Sequence, residues 1–193
     1  MARWVNENTR FLNVNLMWMK PTSDRADFKF QISRWRWENK EIIEEKASYI
    51  EWKLKKIELA GYDYNDERWA KRHIKTITFI LEDDGEELRY GGWYNMVSRQ
   101  IIYCLSSIEE FWKIKLSPYI SQKGNKNIWV ENDWKPVSMK FDFEKDIKSK
   151  CSYSEEFQKF SYTKLDEWID NELVPAINEK IQKQEEEYSE LPF

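Results

Sequence analysis

The chain has 193 residues with a formal net charge of −4, and its 41% hydrophobic and 34% charged residues exclude general disorder. No apolar run approaches the roughly 20 residues that span a bilayer, and the N-terminus lacks the apolar stretch of a secretory signal, so no membrane association is expected. Cys104 and Cys151 are too few for a disulfide framework, which predicts a cytoplasmic protein.

Charge and aromatic residues are distributed unusually. Residues 161–193 hold nine acidic and three basic side chains, whereas residues 1–160 hold 28 basic and 26 acidic ones. The chain therefore combines a slightly basic body, which suits contact with phosphate, and an acidic end. Eleven Trp, ten Tyr and ten Phe make up 16% of the chain, more than a core alone explains easily.

Alternation of apolar and polar residues predicts that the first half of the chain is mainly strand. Ile50, Trp52 and Leu54, for example, alternate with Glu51 and Lys53. The first two strands are expected to pair in antiparallel fashion across a polar turn. The predicted elements are strands over residues 11–19 and 27–37, a charged loop or short helix over 38–46, a strand over 49–59, a loop over 61–66, and strands over 72–81 and 88–90.

The spacing of apolar residues changes to three or four at two later places, which predicts two helices. The first covers residues 94–107 and the second covers residues 161–184, where Ser161 or Thr163 can cap the start. Pro175 is expected to kink the second helix or to begin a new one. The remaining predicted strands cover residues 111–120, 127–131 and 134–141, the last at a sheet edge because it contains Pro136.

These elements predict a mainly β fold, an OB-fold-like antiparallel β-barrel with a mid-chain helix and a C-terminal helix. The OB-fold is a small barrel that binds oligonucleotides on one strand face. A β-sandwich with appended helices is the alternative. We divide the chain into an OB-fold-like domain at residues 1–160, a C-terminal helix at 161–184 and an acidic tail at 185–193.

The acidic tail resembles the conserved tip of bacterial single-stranded-DNA-binding proteins. Its acidic residues precede a hydrophobic residue, a proline and a phenylalanine. In that family the phenylalanine enters a hydrophobic pocket on replication and repair proteins, so the resemblance implies that the tail recruits replication or recombination proteins. An exposed acidic end with no docking role is the alternative. The implied partner-binding residues are Glu185, Glu186, Glu187, Glu190, Leu191, Pro192 and Phe193.

The middle of the body is similar to small single-stranded-DNA-binding proteins of phages. Residues 77–85 look like the hairpin of those proteins, residues 94–99 like their Tyr/Ser/Arg helix, and residues 105–108 like the Ser-containing aliphatic stretch that follows. This resemblance implies an OB-fold body, binding of single-stranded DNA, and a phage-encoded protein that acts in the bacterial host cytoplasm.

Aromatic residues interleaved with basic ones point to single-stranded DNA, because bases stack on flat rings and cations follow the phosphates. Each stacked base contributes about 1–3 kcal/mol. Packing of the rings in the core or locally, with the cations facing solvent, is the alternative for each cluster. The candidates are Lys29, Arg34, Trp35, Arg36 and Trp37 in the second strand, Lys53 and Lys55 in the third, and Tyr62, Tyr64, Trp69, Lys71 and Arg72 around the predicted loop.

Motifs of catalysis are missing from the sequence. It has no phosphate-binding glycine loop, nucleophile elbow or histidine-based metal motif, so no catalytic residue, metal site or cofactor is predicted. The predicted function is a single-stranded DNA-binding protein of DNA replication or recombination, and a homo-oligomer is compatible with it. The alternatives are a non-catalytic protein-interaction module, such as a virion component or host-factor inhibitor, and an enzyme that acts on nucleic acid through clustered carboxylates.

Overall fold

The computed structural model describes residues 9–13, 30–36, 41–65, 71–83, 86–155 and 158–190. Within these ranges the protein is mainly β, as predicted, with eleven strands and three α-helices. The strands are β1 (Thr9–Asn13), β2 (Phe30–Arg36), β3 (Glu41–Ala47), β4 (Ile50–Asn65), β5 (Lys71–Asp83), β6 (Glu86–Trp93), β7 (Ile114–Ile120), β8 (Lys126–Asn132), β9 (Lys135–Pro136), β10 (Ser152–Ser154) and β11 (Lys159–Ser161).

Nine strands form one sheet in the order β3-β2-β1-β6-β5-β4-β7-β8-β9, and β10 pairs with β11 in a separate ribbon. Neighbours in the sheet are antiparallel except β1 and β6, which are parallel. Leu12 pairs with Ile32, so the predicted antiparallel pairing of the first two strands is confirmed for their described parts.

The sheet formed by the described strands is open, with β3 and β9 at its two edges, so the predicted closed barrel is wrong for this part of the chain. One edge of β4 is covered only in part by another strand. Its outer edge pairs with β7 only over Ile50–Trp52. Farther along, Asn178 takes the place of a strand, because its side-chain amide accepts a hydrogen bond from the Ile57 N–H at 2.8 Å and donates one to the Ile57 carbonyl at 2.9 Å.

A β-bulge sets the phase of β4. Leu54 pairs with Leu81 and Lys56 with Ile80, so Lys55 is the extra residue. The shift turns Ile57 into the core beside Leu54, where strict alternation would have placed Lys56. The core residue Ile57 is therefore out of phase with the alternation that predicts this strand.

Two segments not predicted as strands are strands: the charged loop or short helix of residues 38–46 and the loop of residues 61–66. Residues 41–47 form β3, which pairs with β2 along its whole length in spite of its many charges. Residues 61–65 extend β4 and pair with Lys71–Lys75 of β5. In both cases backbone pairing with a neighbouring strand overrides the low strand propensity of the charged and glycine-containing sequence.

The predicted mid-chain helix is confirmed as α1 (Met96–Leu105). It begins after Asn95, whose side chain accepts hydrogen bonds from the backbone N–H groups of Val97 and Ser98, and the Ser98 hydroxyl completes a capping box. Ile101, Ile102 and Leu105 are buried against the sheet. The predicted strand over residues 134–141 is wrong, since only Lys135–Pro136 has strand pairing.

The C-terminal region is helical from residue 163 to residue 189. It comprises α2 (Thr163–Trp168), a π-helical turn (Ile169–Leu173) and α3 (Val174–Ser189), with Pro175 in the first turn of α3 as one of the two predicted alternatives. The predicted helix end at residue 184 is wrong, because Glu185–Glu187 belong to α3. The predicted cap is also wrong, because Tyr162 precedes α2 without a side-chain capping bond. Among the described residues, the helices all fall short of the length and apolarity needed to cross a membrane.

Candidate nucleic-acid interface

The first predicted cluster lies on β2, which is paired on both sides. Arg34, Trp35 and Arg36 pair with residues of β3, and β1 lies on the other side of β2. Lys29 and Trp37 lie outside the described residues. The strand is confirmed, and the DNA-binding role of its residues stays a prediction.

The second predicted cluster lies on a two-stranded arm, not on a loop. Tyr64 pairs with Arg72, and Asn65 pairs with Lys71, in the part of β4 and β5 that extends beyond β6. Tyr62 precedes Tyr64 by two positions and is 51% exposed. The arm thus brings four predicted residues together in register, while Trp69 lies outside the described residues.

A close contact fixes the base of this arm. His73 Nδ1 lies 2.7 Å from a carboxylate oxygen of Asp63, its partner in register. The ring of His73 also covers Gly61, where an added Cβ atom would lie 2.6 Å from His73 Nε2. Glycine at this position therefore permits the close approach of the histidine ring.

The third predicted cluster, Lys53 and Lys55, is already engaged by carboxylates. Lys53 Nζ lies 3.0 Å from Glu185, and Lys55 Nζ lies 3.0 Å from Glu82. The hydrogen bond to Glu82 is the main cause that raises the pKa of Lys55 above its usual value. A phosphate at either lysine has to compete with an acidic side chain of the same chain.

The predicted docking residues are divided by the end of α3. Glu185, Glu186 and Glu187 lie on the helix, Glu190 follows it as the capping residue, and residues 191–193 lie outside the described residues. Beside the Glu185–Lys53 ion pair, the ring of Tyr188 lies 5.0 Å from that of Trp112, measured between centroids. The acidic segment thus contacts the body at Trp112, two residues before the start of β7.

An exposed aromatic and basic surface lies on and around β7 and β8, which the sequence interpretation does not include. Lys115 Nζ lies 5.0 Å from the ring centroid of Tyr49 and 5.7 Å from that of Trp134, and Lys113 Nζ lies 5.3 Å from Trp134. These are cation–π distances. We call this surface the hairpin face and define it as Tyr49, Lys113, Lys115, Tyr119, Trp129 and Trp134, whose four rings are all exposed.

Strand alternation explains why the hairpin face is exposed. Leu116 of β7 and Ile128 and Val130 of β8 are buried, so the residues between them point to the other side of the sheet. Trp129 is in this outward phase, is 48% exposed, and contacts Tyr119 edge-to-face with centroids 6.4 Å apart. A tryptophan in the polar phase of a strand is the signal by which the sequence could have identified this face.

Trp134 occupies a backbone conformation that is unfavourable for a large side chain. Asp133 and Trp134, in the turn between β8 and β9, have φ angles of 47° and 63°. Glycine or asparagine is preferred there, and a bulky residue at positive φ is a genuine outlier. Because Trp134 is also 61% exposed, its packing within the chain does not account for the residue. Strain of this kind is concentrated at functional sites.

The two lysines of the hairpin face differ in their electrostatic surroundings. Lys115 Nζ lies 2.6 Å from Glu131, and this hydrogen bond is the main cause that raises the pKa of Lys115. No ion pair of Lys113 is found among the described residues, and its charge lies over the Trp134 ring. Lys113 is therefore the more available cation of the two.

Comparison of the chain with family models, with curated proteins and with solved structures found no match in any of the three. In the part of the chain that the structure describes, no group of three or more His, Cys, Asp and Glu side chains is placed to hold a metal ion. The interpretation of the hairpin face rests on its own geometry.

Proposed function

We propose that this protein binds single-stranded DNA, without catalysis, on the hairpin face, as a protein of DNA replication or recombination. The observation that carries the proposal is the exposed Trp134 at a φ of 63°, next to two lysines. A strained, solvent-facing tryptophan lowers the stability of the fold. Stacking of a ligand on its ring would explain why this residue is present at such a position. Four rings and two cations on one surface provide stacking and phosphate contacts without requiring a particular base sequence.

The OB-like mode of binding is part of the proposal, although the described sheet is open. An OB-fold binds oligonucleotides on a strand face and through neighbouring loops. The hairpin face offers the same elements, namely outward strand residues on β7 and β8 and the turn that contains Trp134. Barrel closure is not needed for a strand face to bind DNA.

Partner recruitment is proposed for the acidic end of the chain. Glu186, Glu187 and Glu190 are exposed at the end of α3 and present acidic side chains to a basic partner surface, with the Glu186 carboxylate also accepting a hydrogen bond from Gln182. Their resemblance to the tip of bacterial single-stranded-DNA-binding proteins supports the replication or recombination context, and the phage-like middle of the body supports a phage-encoded protein.

An intrinsic tryptophan fluorescence titration with oligo-dT at two salt concentrations tests the proposal. We expect quenching, because bases stack on exposed indoles, and an affinity that falls as salt rises, because phosphate contacts release counterions. Absence of quenching together with absence of a salt-sensitive complex at low ionic strength would contradict it.

The second candidate function is a non-catalytic protein-interaction module. The observation that favours it is the exposed acidic surface of Glu186, Glu187 and Glu190 on α3. A module of this kind would retain partner binding after every ring of the hairpin face is replaced, and it would show no affinity for oligo-dT. The titration above therefore separates the two functions.

A further inference from the structure

A cleft of about 600 Å³ lies beside α1 and is lined by residues other than those of the hairpin face. Its walls come from α1, the turn between β7 and β8, the π-helical turn Phe143–Ile147, and the ribbon of β10 and β11. Volumes of roughly 300–1,000 Å³ are typical of small-ligand sites. The cleft is thus large enough for one nucleotide or two.

Aromatic rings form part of the apolar wall. Phe143 is 56% exposed and Phe160 is 52% exposed, although both are large apolar side chains. Tyr162 is a third exposed ring, and Tyr103 lines the cleft with a largely buried ring. Rings that face an open cleft offer the π surfaces on which an unstacked base is held.

Amide side chains lie among these rings. Gln100 of α1, Asn125 of the β7–β8 turn and Asn127 at the start of β8 line the same cleft, and the Asn127 amide donates a hydrogen bond to the Asn125 carbonyl at 3.3 Å. Among the described residues, no side-chain hydrogen bond of Gln100 is found, so its amide can bond a ligand. Asn and Gln amides present a donor beside an acceptor, the pattern that matches the edge of a nucleobase.

The rings are held in place before any ligand arrives. Arg99 is buried and donates hydrogen bonds to both carboxylate oxygens of Asp166, at 2.9 and 3.1 Å, and its guanidinium lies 4.9 Å from the centroid of the Tyr162 ring. Phe160 packs on Tyr153 with centroids 5.0 Å apart. Preorganisation of this kind lowers the entropy lost on binding.

The cleft adjoins the hairpin face at Asn127, and this proximity favours nucleic acid as the occupant over a peptide. Asn127 pairs with Tyr119, and Trp129 lies two residues farther along β8. A strand that leaves the rings of Tyr119 and Trp129 therefore reaches the amides of the β7–β8 turn next. Lys148, which also lines the cleft, is paired with Glu144 at 2.7 Å, so a phosphate there has to compete with that carboxylate.

We propose that the cleft accepts an unstacked base of the single strand that lies on the hairpin face. This inference rests on the proposed function. The amides bond the base edge, the rings cover its faces, and Met96 and Met139 adapt their flexible side chains to bases of different size. Binding at the hairpin face tolerates any sequence, whereas binding in the cleft discriminates between bases.

Methyl NMR of the full chain tests this directly, since Met96 and Met139 are two of its five methionines. The protein, labelled with ¹³C at the methionine methyls, is titrated with oligo-dT, oligo-dA and oligo-dC and with length-matched abasic oligonucleotides. We expect the Met96 and Met139 signals to shift with at least one base-bearing strand and to stay in place with the abasic strand.

The outcomes of this titration separate the two proposals. If base-bearing strands quench tryptophan fluorescence but leave both methyl signals unchanged, the cleft proposal is wrong and the proposed function stands. Equal shifts with the abasic strand also overturn the cleft proposal. If no strand binds in either experiment, both proposals fail, and methyl shifts caused only by apolar peptides assign the cleft to a protein partner.

Two substitutions in the cleft complete the test. Phe143→Ala and Gln100→Ala alter side chains that are exposed or half-buried, so the fold is expected to persist. For the preferred base, we expect about a 10-fold loss of affinity for Phe143→Ala, from the lost stacking, and a reduced difference between bases for Gln100→Ala. Gln182→Ala, on the outer surface of α3, is the matched control. Unchanged affinity and unchanged base preference in both cleft variants would overturn the proposal.

Discussion

Tyr188 lies against Trp112, with ring centroids 5.0 Å apart, at the end of α3. On the same indole ring, Lys53 Nζ lies 4.5 Å from the centroid and is paired with Glu185 at 3.0 Å. Trp112 immediately precedes Lys113 of the hairpin face. The end of the chain thus places an aromatic ring and a carboxylate next to the hairpin face, where we expect them to compete with a bound strand.

Replacing Glu185 is expected to raise the affinity for single-stranded DNA. Glu185→Gln frees Lys53 to contact a phosphate. Because a partly exposed ion pair of this type contributes up to about 1 kcal/mol, we expect the affinity for DNA to rise by up to roughly 5-fold. The gain should be largest at low salt and disappear at high salt. Fluorescence anisotropy with labelled oligo-dT measures it.

Glu187→Gln is the matched control, because Glu187 is exposed two positions away and no ion pair of it is found among the described residues. Equal gains in the two variants would assign the effect to net charge alone. Deletion of residues 185–193 should raise DNA affinity further and abolish capture of replication proteins. A shortened chain that binds DNA no better would exclude competition between the acidic end and DNA.

Trp134→Gly is expected to separate stability from binding. Glycine adopts a φ of 63° without strain, so the free energy of unfolding should stay constant or increase by about 1 kcal/mol. Affinity for oligo-dT should fall about 10-fold, because one stacking surface is lost. Urea unfolding and DNA titration of the same preparation measure both quantities. A marked loss of stability would show that Trp134 has a packing role instead.

Glu131→Gln is expected to strengthen DNA binding, and Lys113→Ala to weaken it. Glu131 holds Lys115 at 2.6 Å, so its neutralisation makes that cation available. Loss of Lys113 should lower the slope of log affinity against log salt by about 0.7, the value for one phosphate contact on a single strand. Identical salt slopes in the wild type and in Lys113→Ala would remove Lys113 from the interface.

The strands of the fold could largely be predicted from the sequence, because alternation reflects burial on one face of a sheet. The same pattern failed at Lys55, where a bulge changes the phase of β4, and at residues 61–65, where pairing with β5 turns an expected loop into a strand. Closure of a barrel could not be predicted, since it depends on whether the edge strands β3 and β9, far apart in the sequence, pair with each other. The cover of β4 at Ile57 by Asn178, more than a hundred residues away, could not be predicted either.

The candidate site was harder to predict than the fold. Alternating Arg and Trp residues in the sequence indicate a DNA-binding site at residues 34–37. The hairpin face, in contrast, is assembled from residues up to 85 positions apart, such as Tyr49 and Trp134. Lys53 was recognised as a cation, but its pairing with Glu185 depends on the path of α3. Proximity in space, not in sequence, forms both surfaces.

Alkaline pH is expected to destabilise the fold through buried tyrosines. Burial raises the pKa of Tyr103 to about 12 and raises the pKa of Tyr90 and Tyr94 as well. The folded chain holds these protons more tightly than the unfolded chain, whose tyrosines titrate near pH 10. The free energy of unfolding should therefore fall as pH rises from about 10 toward 12.

Tyr103→Phe should reduce the decrease in the free energy of unfolding at alkaline pH. No hydrogen-bond partner of the Tyr103 hydroxyl is found among the described residues, so its removal should leave stability at pH 7 unchanged or slightly higher. Circular dichroism against pH, with tyrosinate absorbance as a second signal, measures the effect. Equal alkaline midpoints for the variant and the wild type would contradict the assignment of this titration to Tyr103.

The central claim is that the hairpin face binds single-stranded DNA, and the affinity of the double variant Trp129→Ala/Trp134→Ala for oligo-dT tests it most directly. Gln182→Ala is the control, because Gln182 is exposed on the outer surface of α3 and belongs to neither the hairpin face nor the cleft. We predict a loss of at least about 10-fold in the double variant, from the lost stacking, and wild-type affinity in the control. Wild-type affinity in a correctly folded double variant would contradict the account.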